Sequence, residues 1–488
     1  MSEFQYVEYG QWIGNKNVPS LDSDRIEVEN PTDHSILGTV PAGCEADANV
    51  ALDLARKAQP EWAKKPAVQR AAVLKKMADI IRSNRVDLID TLAREQAKIM
   101  PLATVEIDVT ADYFDYHAGL ARSYEGEILQ SDNAREHIYV HRAPIGVAVG
   151  ICPWNFPFFV MARKIAPSLL AGCTTVVKSS ELTPLTCFRF ASLLTEAIES
   201  GTLEMEPGTL AILTGYGTTI GEALCKSPIP GIISMTGSLE TGKAIMRNAA
   251  ENMTKVSLEL GGKAPAIVME DCDLDAAVEA IVASRVIYSG QVCNCAERAY
   301  VQASVYDAFV SKLKEKMEAS VVGGPFDSPA PDCCGLVSKT QLDKVKGMVD
   351  RAVSSGATVL CGGHVMDGPG YRYAPTVLAD MNQGDEIMQA EIFGPVLPVL
   401  RFDKFDDALA LANDSEFGLA SSLFTNDYRL IERARTELLF GETYINRFHF
   451  EAIQGFHAGW RKSGVGGADG KHGLLEYLST KVVYVQHS

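Results

Sequence analysis

The sequence predicts an α/β protein with two parallel-sheet regions following a helical N-terminal segment. Three observations carry that prediction. Apolar, β-rich runs alternate with helical stretches from Ile145 to Leu260; a second alternating region starts at Ala266 and continues to about Trp460; a long helical pattern precedes both, from Glu45 to about Arg122. Parallel strands need long crossovers, usually helices, so strands separated by helical stretches indicate a sheet covered on both faces.

Taken in order, the Glu45 to Arg122 segment is rich in Ala, Leu, Lys and Arg, and Ala71, Val73, Leu74, Met77, Ile80 and Ile81 recur at helical spacing. Such a stripe needs a partner surface. Between Glu125 and Arg142 the residues alternate, with Ile128, Ile138 and Val140 among polar neighbours, which reads as a hairpin or arm of the kind that mediates assembly. The strand runs are Val147 to Ile151, Thr174 to Val177, Leu210 to Leu213, Ile232 to Met235 and Val256 to Leu260. In the second region Ala266-Ile267-Val268 precedes a helix start at Asp273, and Ala299 to Val301 and Val396 to Leu400 are further strands. Alternation returns at Lys481 to Val485, an edge strand able to pair with the earlier arm. The chain shows no internal repeat and no low-complexity segment.

Composition excludes several function classes. A chain of 488 residues, 47% hydrophobic and 22% charged, is long enough for two to four domains with large cores. Its net charge of −17 argues against nucleic acid as a partner, because phosphate contacts depend on clustered Lys and Arg. Met1 to Gly10 is polar and acidic, and no run approaches the roughly 20 apolar residues of a membrane span, so no membrane partner and a cytoplasmic location are expected. Eleven irregularly spaced cysteines suit a reducing compartment. Neither Cys293 with Cys295 nor Cys333 with Cys334 has a second Cys/His pair at the spacing of a four-coordinate site, so no metal is expected.

Several segments can carry chemistry. Gly290-Gln291-Val292-Cys293-Asn294-Cys295 sets a cysteine just after a glycine turn, where a deprotonated thiol can act as a nucleophile. In Val256-Ser257-Leu258-Glu259-Leu260, strand alternation turns Ser257 and Glu259 away from the apolar face. A partly desolvated glutamate there would accept a proton from water near neutral pH, while an ordinary surface glutamate is the plainer reading. Pro153-Trp154-Asn155-Phe156-Pro157 supplies an amide donor. Gly215 to Gly221 follows a strand with a spacing one residue longer than GxGxxG, so phosphate binding cannot be assumed. Thr236-Gly237-Ser238 ends a strand and opens a helix, where free N–H groups and a hydroxyl can receive a phosphate. Lys178-Ser179-Ser180-Glu181 follows another strand and reads either as a clamp for a ribose diol or as a solvated helix start capped by Glu181 and Thr183.

In combination these segments resemble the aldehyde dehydrogenase superfamily over nearly the whole chain. The segments Pro153 to Pro157, Thr236 to Gly242, Leu258 to Lys263, Gly290 to Cys293 and Glu391 to Pro395 fall in the family's order. Ser284 to Arg298, Gly441 to Gly473 and, within the latter, Phe456 to Gly464 are similar to the bacterial lactaldehyde and glycolaldehyde dehydrogenase branch. The resemblance implies the aldehyde dehydrogenase fold: a Rossmann-like NAD-binding domain from residues 1–124 and 145–260, a catalytic α/β domain from 261–465, and a small β oligomerisation arm from 125–144 and 466–488. A homotetramer or homodimer follows from the same source.

The resemblance also implies roles. Cys293 would attack an aldehyde, Asn155 and the Cys293 N–H would hold the oxyanion, and Glu259 would activate the water that hydrolyses the thioester. NAD would be the cofactor, with NADP weaker because Glu181 repels a 2′-phosphate. Lys178 and Glu181 would hold the adenosine ribose, Trp154 and Ser238 the pyrophosphate, and Glu391 and Phe393 the nicotinamide end. Ile151, Pro153, Ser180, Gly217, Gly221, Thr236, Gly237, Leu260 and Gly261 complete the implied cofactor site. Ser179 stands where the family commonly has proline. Arg163, Glu451 and His457 would bind a hydroxyl next to the aldehyde, as in lactaldehyde, glycolaldehyde or a sugar-derived aldehyde. Phe448-His449 departs from that branch and leaves room for a larger substrate. A semialdehyde whose carboxylate pairs with Arg163 is the main alternative; a CoA-acylating enzyme is disfavoured by the presence of Glu259.

Overall fold

The computed structural model describes residues 4–487. Two large sheets organise the chain. The first has eight strands, in the order Gly464–Val465, Lys255–Glu259, Pro230–Thr236, Val147–Ile151, Thr174–Lys178, Leu210–Leu213, Gln11–Ile13 and Lys16–Val18. Its five inner strands, Lys255–Glu259 through Leu210–Leu213, are parallel. The chain enters at Val147–Ile151, builds outward to Leu210–Leu213, then crosses back to add Pro230–Thr236 and Lys255–Glu259 on the other side. That reversal creates a crevice at the carboxyl ends of the strands, where open α/β sheets bind ligands.

The second sheet has seven strands, in the order Thr358–Cys361, Thr376–Ala379, Val396–Phe402, Arg298–Gln302, Pro265–Val268, Ala420–Phe424 and Glu442–Ile445. All pairings in it are parallel except that of Thr358–Cys361, an edge strand. The arm forms a separate sheet, with Leu478–Gln486 pairing antiparallel to Glu136–Pro144 along its whole length and Glu127–Leu129 beyond it. Ile128 and Tyr484 on this sheet are 72% and 66% exposed, which leaves apolar surface standing in solvent.

The helical segment resolves into Glu45–Lys64, Ala67–Ser83, Arg85–Gln96 and Met100–Gly119. Pro66 stands just ahead of the second, at the boundary its missing N–H favours. The stripe predicted from Ala71 to Ile81 is buried in the main core together with the Pro157–Ala171 helix. Within the first 44 residues, Gln11–Ile13 and Lys16–Val18 span three residues each, too few for alternation to register, while Arg25–Glu29 and Ile36–Pro41 span five and six. Among the described residues no helix is long and apolar enough to cross a membrane.

Candidate active site

A cavity of about 540 Å³ opens where the carboxyl edge of the first sheet faces the second. Pro153, Trp154, Asn155, Thr236, Gly237, Ser238, Leu260, Gly261, Cys293, Glu391 and Phe393 line it, with Arg163 and Glu451. Three strands of the first sheet contribute through the loops at their ends: Val147–Ile151 leads into Asn155, Pro230–Thr236 into Ser238, and Lys255–Glu259 into Leu260 and Gly261.

The turn ahead of Cys293 is strained and held on all sides. After the Leu274–Val286 helix, Tyr288, Ser289 and Gly290 take φ values of 46°, 50° and 72° in succession. For residues with a side chain this left-handed region costs free energy, and it persists only where surrounding contacts fix it. Arg285 donates to the Gly290 carbonyl at 2.6 Å and the Ala296 carbonyl at 2.7 Å, the Gln291 amide bonds Tyr288 at 3.1 Å, and Ser289 donates to the Cys334 carbonyl. A Cβ on Gly290 would lie 2.0 Å from the Arg285 guanidinium and 2.2 Å from the Gly394 carbonyl oxygen, so only glycine fits. Cys293 is thereby presented to the cavity. Cys295 is buried, its Sγ 2.9 Å from the Val292 carbonyl, and burial pushes its thiol up to about 12.

Asn155 sits on a loop pinned by buried polar groups. Its Nδ2 donates to the Gln291 carbonyl at 3.0 Å, which aims the amide at the cysteine turn. Its own carbonyl accepts from Lys98 at 2.7 Å and Gln96 at 3.1 Å. Lys98 pairs with Glu106, both fully buried, and the Glu106 carboxylate accepts from the Phe158 and Phe159 N–H groups at the start of the next helix. A carboxylate at a helix N-terminus satisfies donors that would otherwise be orphaned. Thr183, read as a possible cap, donates to the Trp154 carbonyl at 3.0 Å.

Glu259 is no surface residue. It is 2% exposed, and neither carboxylate oxygen has a hydrogen-bond partner in the protein. Burial raises its pKa to about 8, against the opposing charges of His457, Lys164 and Arg163. Such a group can take a proton near neutral pH. Alternation turns it from the apolar face, but Lys164 and Arg163 of the Pro157–Ala171 helix and His457 of the late loop stand on its other side.

The implied cofactor residues fall in two places. Glu391 and Phe393 lie across the cavity from Ser238, which caps the Leu239–Ala250 helix by accepting from the Thr241 N–H at 3.2 Å. Lys178, Ser180 and Glu181 sit at the end of the neighbouring strand outside the cavity, with Lys178 Nζ 3.2 Å from Glu181 Oε2 and the backbone of Gly221, in the Gly217–Gly221 turn, beside the Lys178 stem. Ile151 ends the central strand of the same crevice. Glu391 Oε1 accepts from Gly262 N–H at 2.8 Å, leaving Oε2 free for a ligand hydroxyl, and burial raises this carboxyl to about 7. An open carboxylate, a capped helix N-terminus and a Lys–Glu pair along one crevice fit a dinucleotide.

Glu297, which no sequence signal singled out, ties the two halves of the site together. Its carboxylate accepts from Ile392 N–H at 2.9 Å and Phe393 N–H at 3.1 Å, and pairs with Lys263 at 2.9 Å and Arg285 at 2.8 Å. Although burial disfavours its charge, Lys263 and Arg285 hold it down to about 2. Glu297→Ala is therefore expected to destabilise the fold by about 3–5 kcal/mol, because two buried cations and two N–H groups lose their partner. Urea unfolding of the variant checks this; a change under about 1 kcal/mol would contradict it.

At the substrate end Arg163 is already paired. Nε donates to Asp469 Oδ1 at 2.9 Å, and Nη2 donates to Asp469 Oδ2 at 2.5 Å and Glu451 Oε1 at 2.9 Å. Glu451 also accepts from the Asn294 amide at 2.7 Å. Asp469 lies 306 residues from Arg163 and, in sequence, looks like an ordinary Asp-Gly helix start. His457 is buried off the cavity wall, with Nδ1 2.9 Å from Glu442 Oε1 and Nε2 3.7 Å from Glu259 Oε2. His449 bonds Ser284 at 3.0 Å and is also buried, whereas Phe448 is exposed.

The Aldehyde dehydrogenase family model matches residues 18–483. Lactaldehyde dehydrogenase of Escherichia coli (strain K12) is 49% identical over 480 residues, covering 98% of this chain and 99% of that protein. The 3,6-anhydro-alpha-L-galactose dehydrogenase of Vibrio sp. (strain EJY3) is 42% identical over 489 residues, covering 99% of each chain. A crystal structure of the Escherichia coli lactaldehyde dehydrogenase superposes with a TM-score of 0.96 at 48% identity, covering 98% of this chain and 99% of that one. With its fold, its motif order and these likenesses in agreement, the chain belongs to the aldehyde dehydrogenase family, whose members oxidise aldehydes with NAD or NADP.

Proposed function

We propose that this protein oxidises a small hydroxyaldehyde to its carboxylic acid, with NAD preferred, through a thioester on Cys293. Cys293 and Asn155 on the wall of one cavity, with buried Glu259 ending the strand that leads into its lining residues Leu260 and Gly261, carry this reading. Cys293 forms a bond to the aldehyde carbon, and the oxygen that becomes negative is held by the Asn155 amide and the Cys293 N–H, donors already oriented by the loop contacts. NAD, when bound, supplies the hydride acceptor. Glu259 then accepts a proton from the water that attacks the thioester, which releases the acid.

The state of Arg163 supports a hydroxylated substrate over a semialdehyde. Asp469 engages its guanidinium through two oxygens and Glu451 shares Nη2, so the guanidinium already has carboxylate partners and has little left to pair with a carboxylate tail. Glu451 and the remaining Arg163 N–H groups offer an acceptor and donors for a neutral hydroxyl. Exposed Phe448 and the Phe450 wall of the cavity leave room for a sugar-derived aldehyde. Glu181 beside Lys178 supports NAD over NADP, since its carboxylate repels a 2′-phosphate. The arm sheet, with its exposed apolar residues, supports assembly into a homodimer or homotetramer.

Turnover of lactaldehyde, a hydroxylated sugar aldehyde and succinic semialdehyde, each with NAD and NADP, tests the reading. kcat/KM for a hydroxyaldehyde with NAD is expected to exceed that for succinic semialdehyde by about 10²-fold or more, the discrimination a polar pocket gives when its groups stay paired. A preference for succinic semialdehyde would overturn the substrate assignment.

A further inference from the structure

Lys98 is a buried ammonium that the chemistry proposed above does not use. It follows Ala97, the residue that ends the Arg85–Gln96 helix at φ 53°. Its side chain is wholly buried, and Nζ has two oxygen partners, the Glu106 carboxylate and, at 2.7 Å, the Asn155 carbonyl. It also stands over two aromatic rings, 3.8 Å from the centre of Phe156 and 4.4 Å from that of Tyr288. Phe156 follows Asn155 in the chain, and Tyr288 lies in the left-handed turn ahead of Cys293. One cation therefore touches both loops whose spacing sets the distance between the amide and the thiol.

We propose that Lys98 is a positioning residue for the oxyanion hole: it fixes the Asn155 amide relative to the Cys293 turn by holding the Asn155 carbonyl on one side and the Tyr288 ring on the other. This rests on Asn155 being the oxyanion donor. Asn155 Nδ2 gives one hydrogen to the Gln291 carbonyl at 3.0 Å, which leaves the second for the substrate oxygen. The aim of that second hydrogen depends on where the Asn155 backbone sits, and Lys98 and Gln96 hold the backbone through its carbonyl. Lys98 is not on the cavity wall, and no bond is made or broken there. Its effect is geometric, and a shift of about 1 Å in a reacting group is enough to slow a reaction by about 10²-fold.

An apolar side chain of similar length would fill the same space without fixing these partners. Taking an ammonium out of water is unfavourable, and burial lowers the Lys98 pKa against the pull of Glu106. The Asn155 carbonyl and the two ring faces offset part of that penalty, since attraction between a cation and an aromatic face strengthens when both are desolvated. The two rings pack edge to face, with centres 6.1 Å apart and planes at 74°. Tyr288 also donates to the Gln96 carbonyl at 3.3 Å, and the Gln96 amide donates to the Asn155 carbonyl at 3.1 Å, so a second path joins the same two loops. Glu106 accepts from Lys98 at Oε2 and from the Phe158 and Phe159 N–H groups at Oε1, which ties the start of the Pro157–Ala171 helix to the same point.

The test is a double-mutant cycle on the full-length protein, read in rapid mixing as the rate of the first turnover with saturating NAD and the most rapidly oxidised of the three aldehydes named above. Lys98→Met alone strands the Glu106 carboxylate, so it is combined with Glu106→Gln, whose Oε1 still accepts from the Phe158 and Phe159 N–H groups. Lys98→Met/Glu106→Gln is expected to slow the first turnover by about 10–10²-fold, the scale of a misplaced oxyanion donor, while the Kd of NAD changes by less than about threefold. Glu106→Gln alone keeps the Lys98 donor and should lose much less than the pair. Asn155→Ala is itself expected to be slower by about 10²–10³-fold. In that background the same pair of changes should slow the reaction by less than about threefold, because the group that Lys98 positions is already gone. An equal loss in both backgrounds, as a general weakening of the structure would give, overturns the proposal, and so does a wild-type rate in the folded pair variant. Where the pair variant does not fold, Lys98→Gln, one bond shorter and uncharged, goes through the same cycle with the same two deciding outcomes. An undiminished first turnover in Asn155→Ala would instead overturn the oxyanion role of Asn155, a separate failure that removes the proposal with it.

Discussion

Cys293→Ala is expected to reduce aldehyde oxidation by on the order of 10⁴-fold or more, the scale seen when a nucleophile is removed from a preorganised site, whereas Cys295→Ala keeps most of the activity. The two thiols are two residues apart and differ in every property that matters. Cys293 lines the cavity. Cys295 is turned inward against Val292 and Gly290, with its thiol pushed up to about 12 by burial. Removing the Cys295 sulfur leaves a small void in packed protein, a cost of about 1 kcal/mol in stability that does not touch the chemistry. Steady-state formation of reduced cofactor, together with the unfolding midpoint of each variant, separates the cases. Loss of activity in Cys295→Ala with retention in Cys293→Ala would mean that the wrong thiol has been assigned.

That distinction also marks how far the sequence was legible. Where one run of residues decides the outcome, it was readable: the strands around Val147, Thr174, Leu210, Ile232 and Val256, those of the second sheet at Ala266, Ala299 and Val396, and the pairing of the tail with the arm all follow from local periodicity. Val7–Glu8, Gln11–Ile13 and Lys16–Val18 were not readable, since two- and three-residue strands owe their existence to the sheets they join, whereas Arg25–Glu29 carries a legible alternation of exposed and buried positions. Alternation gave the direction of Glu259 but not its burial, because the residues beside it, Arg163, Lys164 and His457, lie far along the chain. The supporting residues Lys98, Glu297, Glu442 and Asp469 were invisible for the same reason. Lys98 reaches Asn155 across 57 residues and Arg163 reaches Asp469 across 306, and no local pattern encodes such pairs. The assignment of Cys293, Asn155 and Glu259 to one site came from the order of the motifs along the chain; Cys293 and Asn155 line one cavity, and Glu259 is buried next to its lining residues Leu260 and Gly261.

Glu259→Gln is expected to separate the two halves of the reaction. The amide keeps the size of the carboxylate but cannot take a proton from water, so the thioester on Cys293 still forms while its hydrolysis slows by about 10²–10⁴-fold. Rapid mixing should show a burst of reduced cofactor approaching one equivalent per active site, followed by slow turnover. The wild type carries a matching pH signature. With its pKa raised to about 8 by burial, Glu259 is mostly protonated below that pH and unable to act as a base, so hydrolysis should climb close to tenfold per pH unit and level off above about pH 8. His457, Lys164 and Arg163 oppose that rise in pKa, so removing any one of these cations moves the plateau to higher pH. In Glu259→Gln the slope disappears along with the rate, because no titrating base remains to produce it. A variant that lost rate but kept the slope would point to another base, and one with undiminished steady-state turnover would remove Glu259 from the hydrolytic step altogether.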